Sequence, residues 1–160
     1  KYFYPTILRF STIYGISPRM RFDLLVNDFT KEAVTRGKLV VYGEQFWRPY
    51  LHVRDISRAV SSILKTEDSI ISGQIFNVGN NTLNCMKKDI AALISDVFPN
   101  VKIVSVKKNE DIRSYRVDFS KIERLLGFLP TLTIRDGINE VKHILESRVI
   151  ENPNDTRYYN

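Results

Sequence analysis

Arginine side chains in loops that follow predicted β-strands carry the clearest binding chemistry of this sequence. Arg48 and Arg113 both lie in such loops. A guanidinium group presents a planar fork of N–H donors that matches phosphate oxygens, and each charge-assisted hydrogen bond contributes about 1.5–3 kcal/mol. Ligands of open α/β sheets bind at the carboxyl ends of strands, so these loops are the expected binding site.

No complete catalytic set can be assembled from the residues. His52 has an acid nearby in Asp55, but no serine or cysteine nucleophile is placed by the sequence to complete a triad. His52 is instead expected to stabilise the turn into the following helix. The second histidine, His143, has no ligand spacing around it, and the single cysteine, Cys85, excludes an internal disulfide and a multi-cysteine zinc site. We therefore predict no catalytic residue and no metal site.

The charge of the chain allows two kinds of anionic partner. A net charge of +6 and a pI near 9.5 are compatible with nucleic-acid binding or with the phosphates of a small ligand. Lysine and arginine are scattered and form no basic run, which favours the small ligand. The chain has no apolar stretch of about 18 residues that would span a membrane, and one cysteine fits the reducing cytoplasm, where we expect the protein to lie.

Strand and helix patterns alternate along the chain, which predicts the α/β class. Short β-prone runs predict strands, and apolar residues at helical spacing predict helices. We expect Asp55 and Asn84 to act as helix N-caps and Thr133 to open a capping box with Asp136. The predicted strands are 6–10, 39–42, 50–53, 74–78 and 101–106, the predicted helices are 22–36, 55–64, 84–98, 120–126 and 133–148, and the polar segments are the loops 14–18 and 107–114 and a loose tail at 151–160.

Five sequence segments, in order, resemble the motifs of the extended short-chain dehydrogenases. Residues 8–15 resemble "LRxxNxYG", residues 41–43 with 47–55 resemble "FG…RDYIHVxD", residues 75–79 resemble "YNVG", residues 111–113 with 118–121 resemble "GDxR…DxSKA", and residues 126–130 resemble "LGWxP". The chain is thus similar to the NAD-dependent epimerase/dehydratase family, whose members modify nucleotide sugars. The resemblance implies the C-terminal part of a Rossmann-type parallel sheet plus a small α/β substrate-binding domain over residues 1–150, followed by the polar tail 151–160.

The same resemblance implies a division of labour in the parent protein. Family members bind NAD or NADP on an N-terminal half and a nucleoside-diphosphate sugar on the C-terminal half; a tyrosine of a YxxxK helix takes the proton as hydride passes to the cofactor. Neither that helix nor a Gly-rich cofactor loop occurs in these 160 residues. We therefore expect the nucleotide-sugar-binding half of an NAD(P)-dependent epimerase, dehydratase or reductase of surface polysaccharide synthesis, without turnover or a retained cofactor of its own.

The resemblance assigns substrate contacts to five residues. It implies that Arg48 grips the diphosphate and that Arg113 grips it from the opposite loop. Asn27 matches a helix amide that contacts the diphosphate. Val41 and Tyr42 lie where the family places the nucleotide base against a strand. Surface exposure is the alternative explanation for the arginines and the amide, and core packing for Tyr42.

Residues at the end of the first strand are implied to meet the sugar and the cofactor. Thr12 stands where many members carry an asparagine that touches the sugar or a phosphate. Ser11 and Ile13 would lie beside the nicotinamide, although packing at a strand end is the commoner role of such residues. Arg19 and Arg21 are in reach of a sugar substituent or of solvent.

Two other functions are compatible with this sequence, and its strands lead to one structural expectation. The chain could be a non-catalytic module that holds a nucleotide or a partner on the same fold, or, less favoured, a basic nucleic-acid-binding domain. The strands at 6–10 and 74–78 should pair in parallel, and open strand edges recruit other chains. We therefore expect a homo-oligomer or association with a preceding segment.

Overall fold

Strands and helices alternate in the computed structural model, which describes residues 3–106 and 113–160. This confirms the predicted α/β class. The strands are β1 Ile7–Phe10, β2 Thr12–Tyr14, β3 Lys38–Tyr42, β4 Trp47–His52, β5 Ile75–Val78, β6 Asn84–Met86 and β7 Lys102–Val106. The helices are α1 Leu25–Arg36, α2 Val53–Leu64, α3 Asp68–Ile71, α4 Lys87–Val97, α5 Ser120–Leu126 and α6 Ile134–Glu146, with 3-10 turns at Asn81–Leu83 and Thr156–Tyr158.

The described strands form three small sheets. β1 pairs with β5 in parallel, with Ile7 opposite Ile75 and Phe10 opposite Val78, which confirms the predicted pairing. β4 lies between β2, in parallel, and β6, in antiparallel orientation. β3 and β7 form the third pair, also parallel. Parallel strands joined through helices are the arrangement that the alternating sequence pattern predicts.

Two large apolar clusters hold these layers together. The first lies where α1, α4 and α6 pack against β3 and includes Phe29, Leu39, Ile94 and Ile138. The second lies under β5, α2 and α5 and is formed by buried residues such as Phe76 and Phe119. Both clusters remove large apolar side chains from water, which is the dominant favourable term in folding.

Helix ends follow the local signals closely. α1 and α5 each stop at a glycine, Gly37 and Gly127, whose φ of 59° and 61° places it in the left-handed region that glycine adopts freely. At α6 the Thr133 hydroxyl accepts a hydrogen bond from the amide of Asp136, whose carboxylate accepts one from the Thr133 amide. The predicted capping box is confirmed.

Two predicted N-caps are wrong. α2 begins at Val53 and is capped by His52, while Asp55 lies in the first turn, where its buried carboxylate accepts hydrogen bonds from the amides of Thr131 and Leu132. α4 begins at Lys87, so Asn84 lies upstream of it in β6. The side chains of Asp55 and Asn84 form hydrogen bonds with residues distant in the chain, and local spacing does not reveal such contacts.

The segments predicted as a loop and as a loose tail differ from those predictions. Tyr14 belongs to β2 and not to the following loop. The last ten residues pack against the rest of the chain: the amide of Phe22 donates to the Tyr158 carbonyl at 3.0 Å, and Lys31 Nζ donates to the Tyr159 hydroxyl at 2.9 Å. In residues 3–106 and 113–160, no helix combines the length and apolar character needed to cross a membrane.

Candidate functional site

The segment 113–119, which is neither helix nor strand, lies beside Trp47 at the start of β4 and is called the strap below. Asn84 of β6 holds its middle. The Asn84 side chain donates from Nδ2 to the carbonyl of Val117 at 3.0 Å and accepts from the amide of Val117 at 3.0 Å. A side-chain amide thus satisfies both polar groups of one backbone residue, as a neighbouring strand would.

Two further asparagines fix the end of the strap. Asn81 Oδ1 accepts from the amide of Phe119 at 3.0 Å, and Asn77 Nδ2 donates to the carbonyl of Asp118 at 3.1 Å. Both asparagines follow or end β5, so the carboxyl end of that strand positions the strap. The asparagine-rich run over 77–84 was the sequence signal for this arrangement, which the sequence analysis missed.

Two arginine–aromatic stacks join β4 to the strap reciprocally. The guanidinium carbon of Arg48 lies 5.1 Å from the centre of the Tyr115 ring, and that of Arg116 lies 4.9 Å from the Trp47 ring. The amide of Tyr115 also donates to the carbonyl of Trp47 at 3.3 Å. Each element therefore contributes one arginine and one aromatic ring, and each ring orients a cation by stacking.

Arg48 and Arg113 meet at this junction. Arg48 Nη1 donates to the carbonyl oxygen of Arg113 and to that of Trp47, the latter at 2.8 Å. Arg48 lies in β4 and not in the predicted loop, and its side chain reaches the backbone of Arg113. Whether they bind a diphosphate stays a prediction.

Two clefts open on either side of the strap. One, of about 460 Å³, lies at the carboxyl ends of β1 and β5, and the other, of about 610 Å³, lies beside β4 and the 3-10 turn. Arg116, Val117 and Asp118 line both. The first cleft is also lined by Arg9, Ser11, Asn77 and Tyr115, and the second by Trp47, Asn81 and Asn84.

The cofactor and sugar candidates at 11–13 lie at this same end of the sheet. Ser11 is buried and lines the first cleft, and its hydroxyl donates to the Val78 carbonyl at 3.0 Å. Thr12 and Ile13 begin β2, opposite Tyr50 and Leu51 of β4, and are half-buried. Their contacts with a nicotinamide or a sugar stay predictions.

Asn27 supports a loop from inside the protein. It is 2% exposed, its Oδ1 accepts from the amide of Gly15 at 3.0 Å, and its Nδ2 donates to the carbonyl of Arg21 at 2.9 Å. These contacts hold the loop that carries Arg19 and Arg21, and the predicted diphosphate contact stays untested. The Arg21 side chain pairs with Asp23, whose pKa is lowered by the hydrogen bonds from that arginine.

Val41 and Tyr42 lie apart from the strap. Val41 is buried in β3 and lines a cleft of about 380 Å³ between β3, β7 and α4. Tyr42 is 41% exposed, and its carbonyl accepts a hydrogen bond from Lys87 Nζ at 3.2 Å. Base binding at these two residues stays a prediction.

His52 has a structural role. Its ring is fully buried; Nδ1 accepts from the amide of Arg54 at 3.2 Å, and Nε2 lies 3.1 Å from a carboxylate oxygen of Glu140. Because Nδ1 accepts, the proton lies on Nε2 and is donated to Glu140. The expectation that His52 stabilises the turn into α2 is confirmed.

Tyr50 presents the only buried side-chain polar atom without a hydrogen-bond partner within residues 3–106 and 113–160. Its hydroxyl lies in the β4 core, and burial raises its pKa well above the usual value. In the same described ranges no three His, Cys, Asp or Glu side chains are grouped to hold a metal ion.

Comparison with a family model and with known proteins identifies relatives of this chain. Residues 1–79 match the model of the NAD dependent epimerase/dehydratase family. The chain is 31% identical over 145 residues to a dTDP-glucose 4,6-dehydratase of Neisseria gonorrhoeae, covering 81% of this chain and 40% of that protein. It is 28% identical over 136 residues to the dTDP-glucose 4,6-dehydratase of Streptomyces griseus, covering 82% and 40%.

Solved structures agree in fold. An NAD-dependent NDP-hexosamine 5,6-dehydratase of tunicamycin biosynthesis aligns with a TM-score of 0.75 at 21% identity, over 92% of this chain and 47% of its own. UDP-glucose 4-epimerase of Thermotoga maritima aligns with a TM-score of 0.73 at 22% identity, over 90% and 46%.

The fold is therefore that of the Rossmann-like short-chain dehydrogenases. Within that class, the chain belongs to the NAD-dependent epimerase/dehydratase family. It spans 40–47% of the length of the relatives named above.

Proposed function

We propose that this chain is the C-terminal, nucleotide-sugar-binding part of an NAD(P)-dependent epimerase, dehydratase or reductase. The hydrogen bond from Arg48 Nη1 to the carbonyl of Arg113 carries the proposal. It joins two arginines, one on β4 and one on the strap, near the cleft at the carboxyl ends of β1 and β5. Ligands of α/β sheets bind at such ends.

The junction suits a diphosphate because contacts within the protein orient the guanidinium group of Arg48 before a ligand binds. Stacking on Tyr115 and two carbonyl contacts orient the Arg48 guanidinium group. An ordered donor loses less conformational entropy on binding than a mobile one. A nucleoside diphosphate carries adjacent negative charges, which two neighbouring arginines neutralise.

The other predicted contacts are distributed around this junction. We assign Thr12 to the sugar or a phosphate, Val41 and Tyr42 to the nucleotide base, and Asn27 to the diphosphate or to the loop that faces it. These assignments rest on the resemblance of the motifs, and the position of Thr12 at the β1–β2 junction supports the first of them.

NAD or NADP would meet this chain only at its nicotinamide end. Ser11 and Ile13 offer a small hydroxyl and an apolar side chain, which fit the edge of a nicotinamide ring, and Ser11 lines the first cleft. When bound there, NAD or NADP would supply the hydride acceptor for the sugar carbinol. The chain's own residues bind and orient the substrate beside it.

Proton transfer would need residues from outside this sequence. None of its eight tyrosines is followed four positions later by a lysine, so the acid–base pair of the family is not among these residues. We expect the 160-residue chain to bind a nucleotide sugar weakly and to convert none of it. Turnover by the purified chain, followed by chromatography of the sugar nucleotide, would refute this.

Calorimetry tests the binding proposal. Titration with UDP-glucose, and with dTDP-glucose because the base is open, should give one saturable site. Arg48→Ala and Arg113→Ala should each weaken binding by about 1.5–3 kcal/mol, because each removes a charge-assisted contact. Arg36→Ala is the matched control: its side chain is 67% exposed on α1 and paired with Glu32. Unchanged binding by both test variants would overturn the site.

The two alternatives predict different behaviour in the same assay. Nucleic-acid binding would weaken by roughly 0.7–0.9 decades per decade of salt for each phosphate contacted. A non-catalytic nucleotide- or partner-binding module would bind a nucleotide but gain no affinity from the sugar.

Association between chains stays a prediction. Ile7, Phe10 and Ile75 on the β1–β5 pair are 45%, 42% and 39% exposed. Exposed apolar strand residues favour a homo-oligomer or a preceding segment on this face. A monomer by light scattering at micromolar concentration would contradict the homo-oligomer.

A further inference from the structure

Two more arginines line the first cleft without a carboxylate partner. Arg9 lies on β1 opposite Asn77 of β5, and Arg116 lies on the strap. Within the two ranges of the chain that the structure describes, neither guanidinium group makes a hydrogen bond or an ion pair. The stack of Arg116 on Trp47, at 4.9 Å, is therefore its main anchor.

The charge of this cleft is positive. Its one carboxylate among the described lining residues is Asp118. That group accepts hydrogen bonds from the hydroxyl and amide of Ser120, at 2.6 and 3.1 Å, and these bonds lower its pKa. Asp118 is therefore ionised at neutral pH, and its carboxylate already accepts hydrogen bonds from Ser120. The cleft is lined by two guanidinium groups and this one carboxylate, so its net charge is positive.

Arg116 occupies a different position from the two arginines of the diphosphate site. It follows three residues after Arg113 and lines both clefts, whereas neither Arg48 nor Arg113 is among the residues that line them. The guanidinium carbon of Arg116 lies 4.9 Å from the centre of the Trp47 ring, and Trp47 lines the second cleft. A planar, oriented fork of donors next to a sugar-sized space matches a carboxylate.

We propose that Arg116, held on Trp47 and assisted by Arg9, is a specificity-determining residue that selects nucleotide sugars with a carboxylate on the hexose. This inference rests on the proposed function, because the nucleoside diphosphate must first bind at Arg48 and Arg113. It adds the substrate class: a uronic-acid nucleotide instead of a neutral hexose nucleotide.

Calorimetry with UDP-glucuronate and UDP-glucose tests the inference, since the two ligands differ only at C6 of the sugar. The native chain should bind UDP-glucuronate at least about tenfold more tightly, a difference of about 1.4 kcal/mol. Arg116→Gln should reduce this ratio to near one, mainly by weakening the binding of UDP-glucuronate. Arg116→Lys keeps the charge but loses the planar fork, so it should retain only part of the preference. Arg36→Gln removes an equal charge on α1 and should retain the full ratio.

The outcomes separate the inference from the proposed function. If both ligands bind equally to the native chain, and Arg48→Ala weakens both, the diphosphate site stands and the carboxylate selectivity is overturned. If the preference survives Arg116→Gln, the assignment to Arg116 is overturned; Arg9→Gln then shows whether Arg9 carries it. If neither ligand binds, and dTDP-glucose does not bind either, the proposed function fails and the inference fails with it.

Discussion

The Nη1 atom of Arg48 donates a hydrogen bond to the carbonyl oxygen of Arg113, 65 positions further along the chain. The contact links β4 to the strap, which three asparagines hold from the carboxyl end of β5 and from β6. The candidate site therefore depends on side-chain amides that replace the hydrogen bonds of a neighbouring strand.

Hydrogen exchange can resolve the asparagine contacts one by one. Asn84→Ala removes the acceptor of the Val117 amide, and a hydrogen bond contributes about 1 kcal/mol, so exchange at Val117 should accelerate about fivefold. The exchange rate of the Phe119 amide, which donates its hydrogen bond to Asn81 Oδ1, should change much less. Asn81→Ala should show the reverse pattern. Equal acceleration of both amides in both variants would contradict independent asparagine contacts.

Gly137→Ala should destabilise the protein although alanine favours helices. A Cβ at this position of α6 would contact the buried ring of Tyr14 and lie 2.6 Å from Cε2. Overpacking costs about 1–3 kcal/mol, which exceeds the gain in helix propensity of about 1 kcal/mol. Urea unfolding measures the balance. In a Tyr14→Leu background the same substitution should be neutral or stabilising, and a loss of similar size there would contradict the clash.

Tyr50→Phe should stabilise the fold by about 1 kcal/mol. An unsatisfied buried hydroxyl costs about 1–3 kcal/mol, and phenylalanine keeps the ring without that group. Tyr159→Phe is the matched control: its hydroxyl bonds Lys31 and Pro153, so its removal should destabilise. Thermal unfolding of both variants compares them. A lower melting temperature for Tyr50→Phe would show that its hydroxyl has a partner in solution.

The capping box of α6 predicts a pH-dependent contribution to stability. Hydrogen bonds from the Thr133 hydroxyl and amide lower the pKa of Asp136. A carboxyl whose pKa is depressed by folding stabilises the protein above its unfolded pKa of about 3.9, and this contribution is lost as pH falls through the folded pKa. Thr133→Val should therefore cost about 0.5–2 kcal/mol at neutral pH and less near pH 2, where the hydrogen bond from the Asp136 amide to the hydroxyl is the part of the cap that remains.

Urea unfolding at the two pH values checks the capping-box prediction. Asp136→Asn, which removes the titrating group, should flatten the same part of the pH profile. A cost of Thr133→Val that is equal at both pH values would contradict the role of Asp136.

Local signals in the sequence predicted one strand pairing and several helix boundaries. The β1–β5 pairing, the ends of the predicted helices at residues 36 and 126, each followed by a glycine, and the capping box at Thr133 all depend on residues close in the chain or on simple strand runs. They were predicted because backbone sterics and short-range hydrogen bonds determine them.

Long-range partners explain what the sequence analysis missed. Asp55 and Asn84 have the residue types of helix caps, but their hydrogen bonds go to positions 76–77 and 33 residues away. Lys31 donates a hydrogen bond to Tyr159 in the C-terminal segment. The polar composition of that segment does not indicate this contact. The shared role of Arg48 and Arg113 at a diphosphate stays a prediction from the motif resemblance, because no local pattern relates two segments so far apart.

The diphosphate assignment can be tested directly by observing the arginine Nε–H signals by nuclear magnetic resonance during titration. With UDP-glucose or dTDP-glucose, the signals of Arg48 and Arg113 should shift together with one dissociation constant, and the nucleoside alone should move neither. Substitution of each arginine by lysine assigns its signal. If the diphosphate sugars leave both signals in place, or shift only arginines remote from the strap such as Arg36, these two residues do not form the diphosphate site.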